Sequence, residues 1–102
     1  MDAEETIKRL EGEWEQPEGF LGRLREGRFD PAGFERFEQL VKSINHYQDE
    51  VINRRLVSLL WYAPTFMSWQ RERVAEEGGN IEELDSATTK ILNLLEQILG
   101  VP

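Results

Sequence analysis

The chain has 102 residues, with 20 acidic and 12 basic side chains, a net charge of −8 and no cysteine. This length predicts one domain over residues 1–102, and the lack of cysteine excludes disulfides and thiolate metal sites. The negative charge disfavours binding to nucleic acid or to an anionic membrane surface. The opening MDAEETIKRL is acidic and has no apolar core segment. It does not resemble a signal peptide, so we expect a cytoplasmic protein.

The acidic side chains are concentrated at the two ends of the chain. Residues 1–20 hold seven acidic and two basic side chains, and residues 76–102 hold six acidic and one basic. The stretch between them holds seven acidic and nine basic side chains. Acidic ends of this kind can attract a basic protein, or they can serve solubility alone.

Two short helices are predicted in the first quarter. Asp2 is suited to cap the first of them, and we expect that helix to end at Gly12. Trp14 then lies in an acidic connector, where we expect it to close one end of the bundle. Pro17 is suited to begin the second helix, which should be weak because it contains Gly19, Gly22 and Gly27.

The next segment carries a strong helix-start signal. Asp30-Pro31 combines a capping residue with a proline at the first helical position. Phenylalanine, leucine, valine and isoleucine then recur at helical spacing, which predicts an amphipathic helix from Pro31 to about Asn45. Phe29 precedes the cap and Phe34 follows it, so these two side chains are expected to pack as a hydrophobic staple.

The longest apolar stretch is VINRRLVSLLWYAPTFMSW, residues 51–69. Its apolar spacing predicts a helix from about Asp49 to Ala63. Pro64 removes a backbone donor and clashes with the preceding turn, so the helix must kink or end there. The pattern resumes at once, which predicts a further helix from Pro64 to about Glu77.

Large aromatic side chains lie on both sides of this proline. Trp61, Tyr62, Phe66 and Trp69 can form a binding surface, because tryptophan and tyrosine are enriched among the residues that dominate interfaces. They can equally fill the core at a kink, because aromatic rings supply large buried areas. Arg73 follows Trp69 by four residues and is expected to cover its indole ring as a cation–π partner.

The last helix has the clearest pattern in the chain. Asn80, with Glu83 three residues later, is suited to cap it, and apolar residues then recur at intervals of three and four from Ile81 to Leu99. This stripe can pack into the protein's own bundle. It can also form the seam of a homodimer, since heptad spacing is what a coiled coil needs.

No arrangement of residues predicts an active site. His46 is the single histidine, and together with Asp49 and Glu50 it does not complete a zinc site. The glycine spacing of residues 19–27 matches no phosphate-binding loop. We therefore predict a protein that is not an enzyme and that has no catalytic residue, metal or cofactor.

The opening carries a short run of residues that resembles a known family: Leu10-Glu11-Gly12-x-Trp14-x-x-Pro17, followed by Leu21 and Leu24-Arg25. The run is similar to the start of small acidic immunity proteins of bacterial contact-dependent growth inhibition, which often open with L-E-G-x-x-W-G-x-P. Here the tryptophan spacing differs by one, and Glu15 stands where the family has glycine. The resemblance covers about a quarter of the chain and implies a protein that neutralises a toxin by binding it.

These observations predict an all-α protein, a compact antiparallel bundle of about five helical segments with a kink or break at Pro64. The predicted function is a small, acidic, non-catalytic protein-binding domain, an immunity or inhibitor protein for a basic partner. The alternative is a structural module that forms a homodimer through the last helix. The residues predicted to bind the partner are Trp14, Trp69, Arg73, Glu76, Glu77, Glu82, Glu83 and Asp85.

Overall fold

The computed structural model describes residues 2–44 and 52–102, and in these two ranges the only regular structure is helical. The helices are α1 (Ala3–Trp14), α2 (Phe20–Arg25), α3 (Pro31–Ile44), α4 (Arg54–Trp61), α5 (Ala63–Trp69), α6 (Arg71–Glu76) and α7 (Ile81–Leu99). Every helix contributes side chains to one hydrophobic core, which confirms the prediction of an all-α bundle. Two predicted features lie outside the described residues: the helix end at Asn45, and His46 with its neighbouring carboxylates. The predicted helix start near Asp49 is wrong, because Asn53 caps α4 at Arg54 by accepting a backbone N–H bond from Arg55 at 2.8 Å.

Two predicted helix starts are confirmed by the hydrogen bonds of their capping residues. The Asp2 carboxylate accepts a hydrogen bond from the backbone N–H of Glu5 at 2.8 Å, and the Asn80 side chain accepts one from the N–H of Glu83 at 3.1 Å. Each bond satisfies an N–H group that a helix leaves unpaired at its N-terminus. The third helix begins at Pro31 as predicted.

The predicted end of the first helix at Gly12 is wrong. Helix α1 continues to Trp14, because its last two side chains are anchored to other elements. Glu13 is buried and binds the start of α2 and Arg36 of α3, and Trp14 binds α4. Gly12 itself faces open space, with no atom within 4 Å of the position that a Cβ would occupy.

The predicted start of the second helix at Pro17 is also wrong. Helix α2 begins at Phe20, because the carboxylate that caps it comes from α1. The side chain of Glu13 accepts the Phe20 N–H at 3.0 Å and so replaces a local capping residue, which Gly19 cannot provide. Pro17 lies in the connection between α1 and α2.

The glycines of this region allow the backbone of α2 and the residue before it to pack closely against the end of α1. A Cβ at Gly19 would meet the carbonyl oxygens of Gly12 and Glu13, and a Cβ at Gly22 would meet the carbonyl of Glu15. These separations are shorter than real Cβ atoms tolerate. Helix α2 therefore lies directly against the last turn of α1 because its residues at the contact have no side chain.

The central stretch forms three helices where two were predicted. The first break falls at Tyr62, and Pro64 then occupies the first turn of α5, where its missing N–H leaves no helical bond unmade. A second, unpredicted break falls at Gln70, whose N–H bonds to the carbonyl of Met67 three residues earlier. A hydrogen bond between residues three positions apart is typical of a 3₁₀ turn, and this turn separates α5 from α6.

Helix α7 runs from Ile81 to Leu99 as predicted and packs against α3, α5 and α6. Leu84, Ile91 and Leu95 of its apolar stripe are buried in the core. The stripe is therefore used inside the bundle. Two exposed leucines, Leu92 and Leu99, lie outside it and are seven residues apart.

Candidate functional site

Trp14 joins α1 to the centre of the bundle. Its indole N–H donates to the backbone carbonyl of Leu59 at 3.0 Å, and its ring packs on Phe66 and Tyr62 at centroid distances of 5.1 and 6.2 Å. The side chain is half-buried. The N–H of the Trp14 indole is thus already bound, and the Trp14 ring supports that of Tyr62.

Trp61, Tyr62 and Trp69 form an exposed cluster, called here the aromatic patch. The Tyr62 ring contacts Trp61 at 5.3 Å and Trp69 at 5.6 Å between centroids, in both cases edge to face. Trp61 is 56% exposed and Trp69 is 65% exposed. Phe66 is buried in the core, as one of the two alternatives for these aromatics expected, while the two tryptophans face solvent.

The break between α4 and α5 produces this patch. Helix α4 ends at Trp61, and Tyr62 is both its C-terminal cap and the residue before α5. The ring of Tyr62, the residue between the two helices, contacts both Trp61, the last residue of α4, and Trp69, the last residue of α5. The patch is thus built on helix ends that are anchored by buried neighbours, Leu60, Ala63 and Met67.

The predicted cation–π pair between Arg73 and Trp69 is wrong. The Arg73 guanidinium instead donates to the backbone carbonyl of Arg25 at 2.6 Å, because Gly27 lets the end of α2 lie against Arg73 and Glu77. A guanidinium does cover a ring in this region, but it is that of Arg25, 5.2 Å from the centroid of Phe66. Trp69 is left uncovered.

The remaining predicted site residues lie around the turn that joins α6 to α7, with Glu76 at the end of α6 and Glu82, Glu83 and Asp85 near the start of α7. Glu76, Glu77, Glu82 and Glu83 are all exposed, and within the described ranges their carboxylates make no hydrogen bond or ion pair. Glu76 and Glu77 also lie at the C-terminal end of α6, where the helix dipole is itself negative. Asp85 differs, because it binds Arg71 through two bonds of 2.8 and 3.1 Å.

A groove of about 520 Å³ lies between α1 and α3. Its central feature is a bidentate pair in which Arg36 donates two bonds of 2.8 Å to the buried Glu13. The hydrogen bond with Glu13 raises the pKa of Arg36 above its ordinary value, so this guanidinium is charged at every accessible pH. Because both carboxylate oxygens of Glu13 are occupied, the pair is structural and supplies neither a free acid nor a free base.

The residues that the structure describes contain no group of three histidine, cysteine or acidic side chains placed to hold a metal ion. No helix among them is both long and apolar enough to cross a membrane. No protein-family model matches the chain, and no curated protein or solved structure is significantly similar to it.

The residues that were predicted to bind the partner therefore do not lie together in one site. Trp69 belongs to the aromatic patch, Trp14 lies beneath it, and the four unpaired glutamates occupy the α6–α7 turn. Trp61, which was not among the predicted binding residues, is the other exposed tryptophan of the patch.

Proposed function

We propose that this protein is a small, non-catalytic binding domain whose aromatic patch engages a basic surface on another protein. The observation that carries the proposal is the exposure of Trp61 and Trp69, which both contact the ring of Tyr62. A whole tryptophan has roughly 250 Å² of surface, so the two indoles present roughly 300 Å² to water. An apolar patch of that size on a monomer is often a functional surface.

The charge of the chain supports a basic partner. The net charge is −8, and the glutamates of the α6–α7 turn are not neutralised by any of the described arginines or lysines. Opposite charge on a partner would speed its approach and fix its orientation, while the desolvated aromatic rings would supply most of the affinity. The resemblance of the opening residues to immunity proteins supports a toxin as that partner.

Self-association is the second candidate function. Leu92 and Leu99 are exposed at heptad spacing on α7, and Val101 beyond them is 70% exposed. Two copies of the chain would each bring a charge of −8 to the contact, which opposes their association. A stable dimer also buries about 800 Å² on each partner, more than these three side chains offer.

Capture from a lysate of the source organism tests the proposed function. The bait is the tagged wild-type chain, compared with a Trp61→Ser/Trp69→Ser variant and with a Leu92→Ser/Leu99→Ser control that changes exposed leucines elsewhere. We expect a basic protein to bind the wild type and the leucine control but not the tryptophan variant. The partner is then purified and mixed with each bait, and its affinity for the tryptophan variant should be at least about 100-fold weaker.

Two outcomes would contradict the proposal. One is a partner that binds the tryptophan variant as well as it binds the wild type. The other is recovery of the protein only with a second, differently tagged copy of itself, with the leucine control losing that contact, which would establish self-association instead.

A further inference from the structure

We infer that the aromatic patch recognises an arginine side chain of the partner, with its guanidinium stacked against Trp61 or Trp69. This inference rests on the proposed function and specifies its chemistry. The face of an indole ring carries partial negative charge and attracts a cation that approaches within about 6 Å of its centroid. Of the natural cations, the guanidinium is flat and weakly hydrated, so it stacks on a ring more readily than the ammonium group of lysine.

The patch has ring surface available for such a contact. Trp61 and Trp69 each touch Tyr62 but remain more than half exposed. Tyr62 holds both indoles at edge-to-face angles, 63° and 87°, so neither lies flat on the tyrosine. Because both indoles contact the same tyrosine, exposed indole surface is available close to Tyr62.

The two arginines that follow Trp69 most closely in the sequence are engaged elsewhere. Arg73 is four residues from Trp69, within reach of its ring by sequence, yet it bonds to the carbonyl of Arg25. Arg71, two residues from Trp69, is held by Asp85. Both guanidinium groups that could have covered Trp69 are thus fixed by other partners, and the ring is left for a cation from outside.

A guanidinium already lies over Phe66, a buried ring that is linked to the patch through Trp14. Arg25 lies 5.2 Å from the centroid of Phe66, and Phe66 contacts Trp14, which stacks on Tyr62. This contact shows that a guanidinium and a ring of this cluster pack together in the folded protein. The net charge of −8 favours a second cation on the outer side.

Binding of two short peptides, an oligo-arginine and an oligo-lysine of equal length, tests the inference. Both peptides carry the same charge, so charge attraction alone gives equal affinities. We expect the arginine peptide to bind the wild-type protein about fivefold more tightly, and we expect that ratio to persist at high salt, where attraction between exposed charges is screened. Fluorescence anisotropy of the labelled peptides measures both affinities.

Two variants separate stacking from charge. Trp61→Leu/Trp69→Leu keeps apolar side chains at both positions but removes the rings, so the preference for arginine should disappear. Glu76→Gln/Glu77→Gln removes two unpaired charges and should weaken both peptides by the same factor. This variant is expected to stay folded. Negative charges at a helix C-terminus interact unfavourably with the helix dipole, so their removal does not destabilise the helix.

Equal affinity for the two peptides in the wild type would overturn the inference, and so would an arginine preference that survives in the leucine variant. Either result is distinguishable from failure of the proposed function, because the captured partner would still depend on Trp61 and Trp69. A partner that depends on the tryptophans, together with no arginine preference, would indicate recognition by apolar contact alone.

Discussion

Replacing Gly22 with alanine is expected to destabilise the protein by about 3 kcal/mol, at the upper end of the range for overpacked sites. A methyl group at this position would meet the backbone carbonyl of Glu15, which cannot rotate away as a side chain could. Helix α2 would have to move off the last turn of α1. That movement would stretch the bond that joins Glu13 to the start of α2. Urea denaturation followed by circular dichroism measures the change.

Gly12→Ala is the matched control, with an effect of opposite sign. Gly12 also lies inside a helix, but nothing occupies the space where its Cβ would lie. Alanine there should stabilise the protein by about 0.5–1 kcal/mol, since glycine is a poor residue inside a helix. Destabilisation of similar size by both substitutions would contradict the described packing of α2 on α1.

Replacing Glu13 with alanine is expected to lower the free energy of unfolding by about 3 kcal/mol. The change leaves the Phe20 N–H without an acceptor in a fully buried residue, which alone costs about 1–3 kcal/mol. It also removes both bonds from Arg36. Because Arg36 is about half exposed, water recovers part of that loss. The measurement is again urea denaturation.

Glu15→Ala is the control for this prediction, because the Glu15 side chain is exposed and such changes usually alter stability by less than about 0.5 kcal/mol. A double-mutant cycle with Arg36→Ala isolates the interaction between Glu13 and Arg36, and we expect a coupling of about 1 kcal/mol or more. Equal stability of the Glu13 and Glu15 variants would show that the buried carboxylate does not hold α1, α2 and α3 together.

Local signals in the sequence predicted much of the fold. Asp2 and Asn80 cap their helices through their own side chains, and such bonds depend only on residues three positions away. Helix α7 was predicted with the correct bounds because its apolar period is long and uninterrupted. The rings of Phe29 and Phe34 lie 6.1 Å apart, in agreement with the predicted staple.

The errors arise where distant residues decide local structure. Glu13 and Arg36 are 23 positions apart, and no pattern in the sequence links them. The bonds that Glu13 makes to Arg36 and to the Phe20 N–H extend α1 past Gly12 and place the start of α2 at Phe20. Likewise, the spacing of Trp69 and Arg73 favoured a contact between them, but the backbone carbonyl of Arg25 competes for the same guanidinium.

The sequence indicated which types of residue form the candidate site, but it did not indicate which individual residues belong to it. The acidic residues around the α6–α7 turn could be identified from the sequence, because they flank two glycines and a capping residue. Exposure of the aromatic rings could not be identified in this way, since Trp14, Trp61 and Trp69 are the same residue type. Contacts between distant elements decide which of them face solvent, as the bond from Trp14 to Leu59 of α4 shows.

Incorporation of 5-fluorotryptophan, read by ¹⁹F NMR in H₂O and in D₂O, tests the central claim most directly. The solvent isotope shift of each fluorine reports contact with water, and each signal is assigned by replacing one tryptophan at a time with phenylalanine. We predict large shifts for Trp61 and Trp69 and a smaller one for Trp14. Small shifts for Trp61 and Trp69 in the isolated monomer would show that the aromatic patch is covered, and both proposals would then fail.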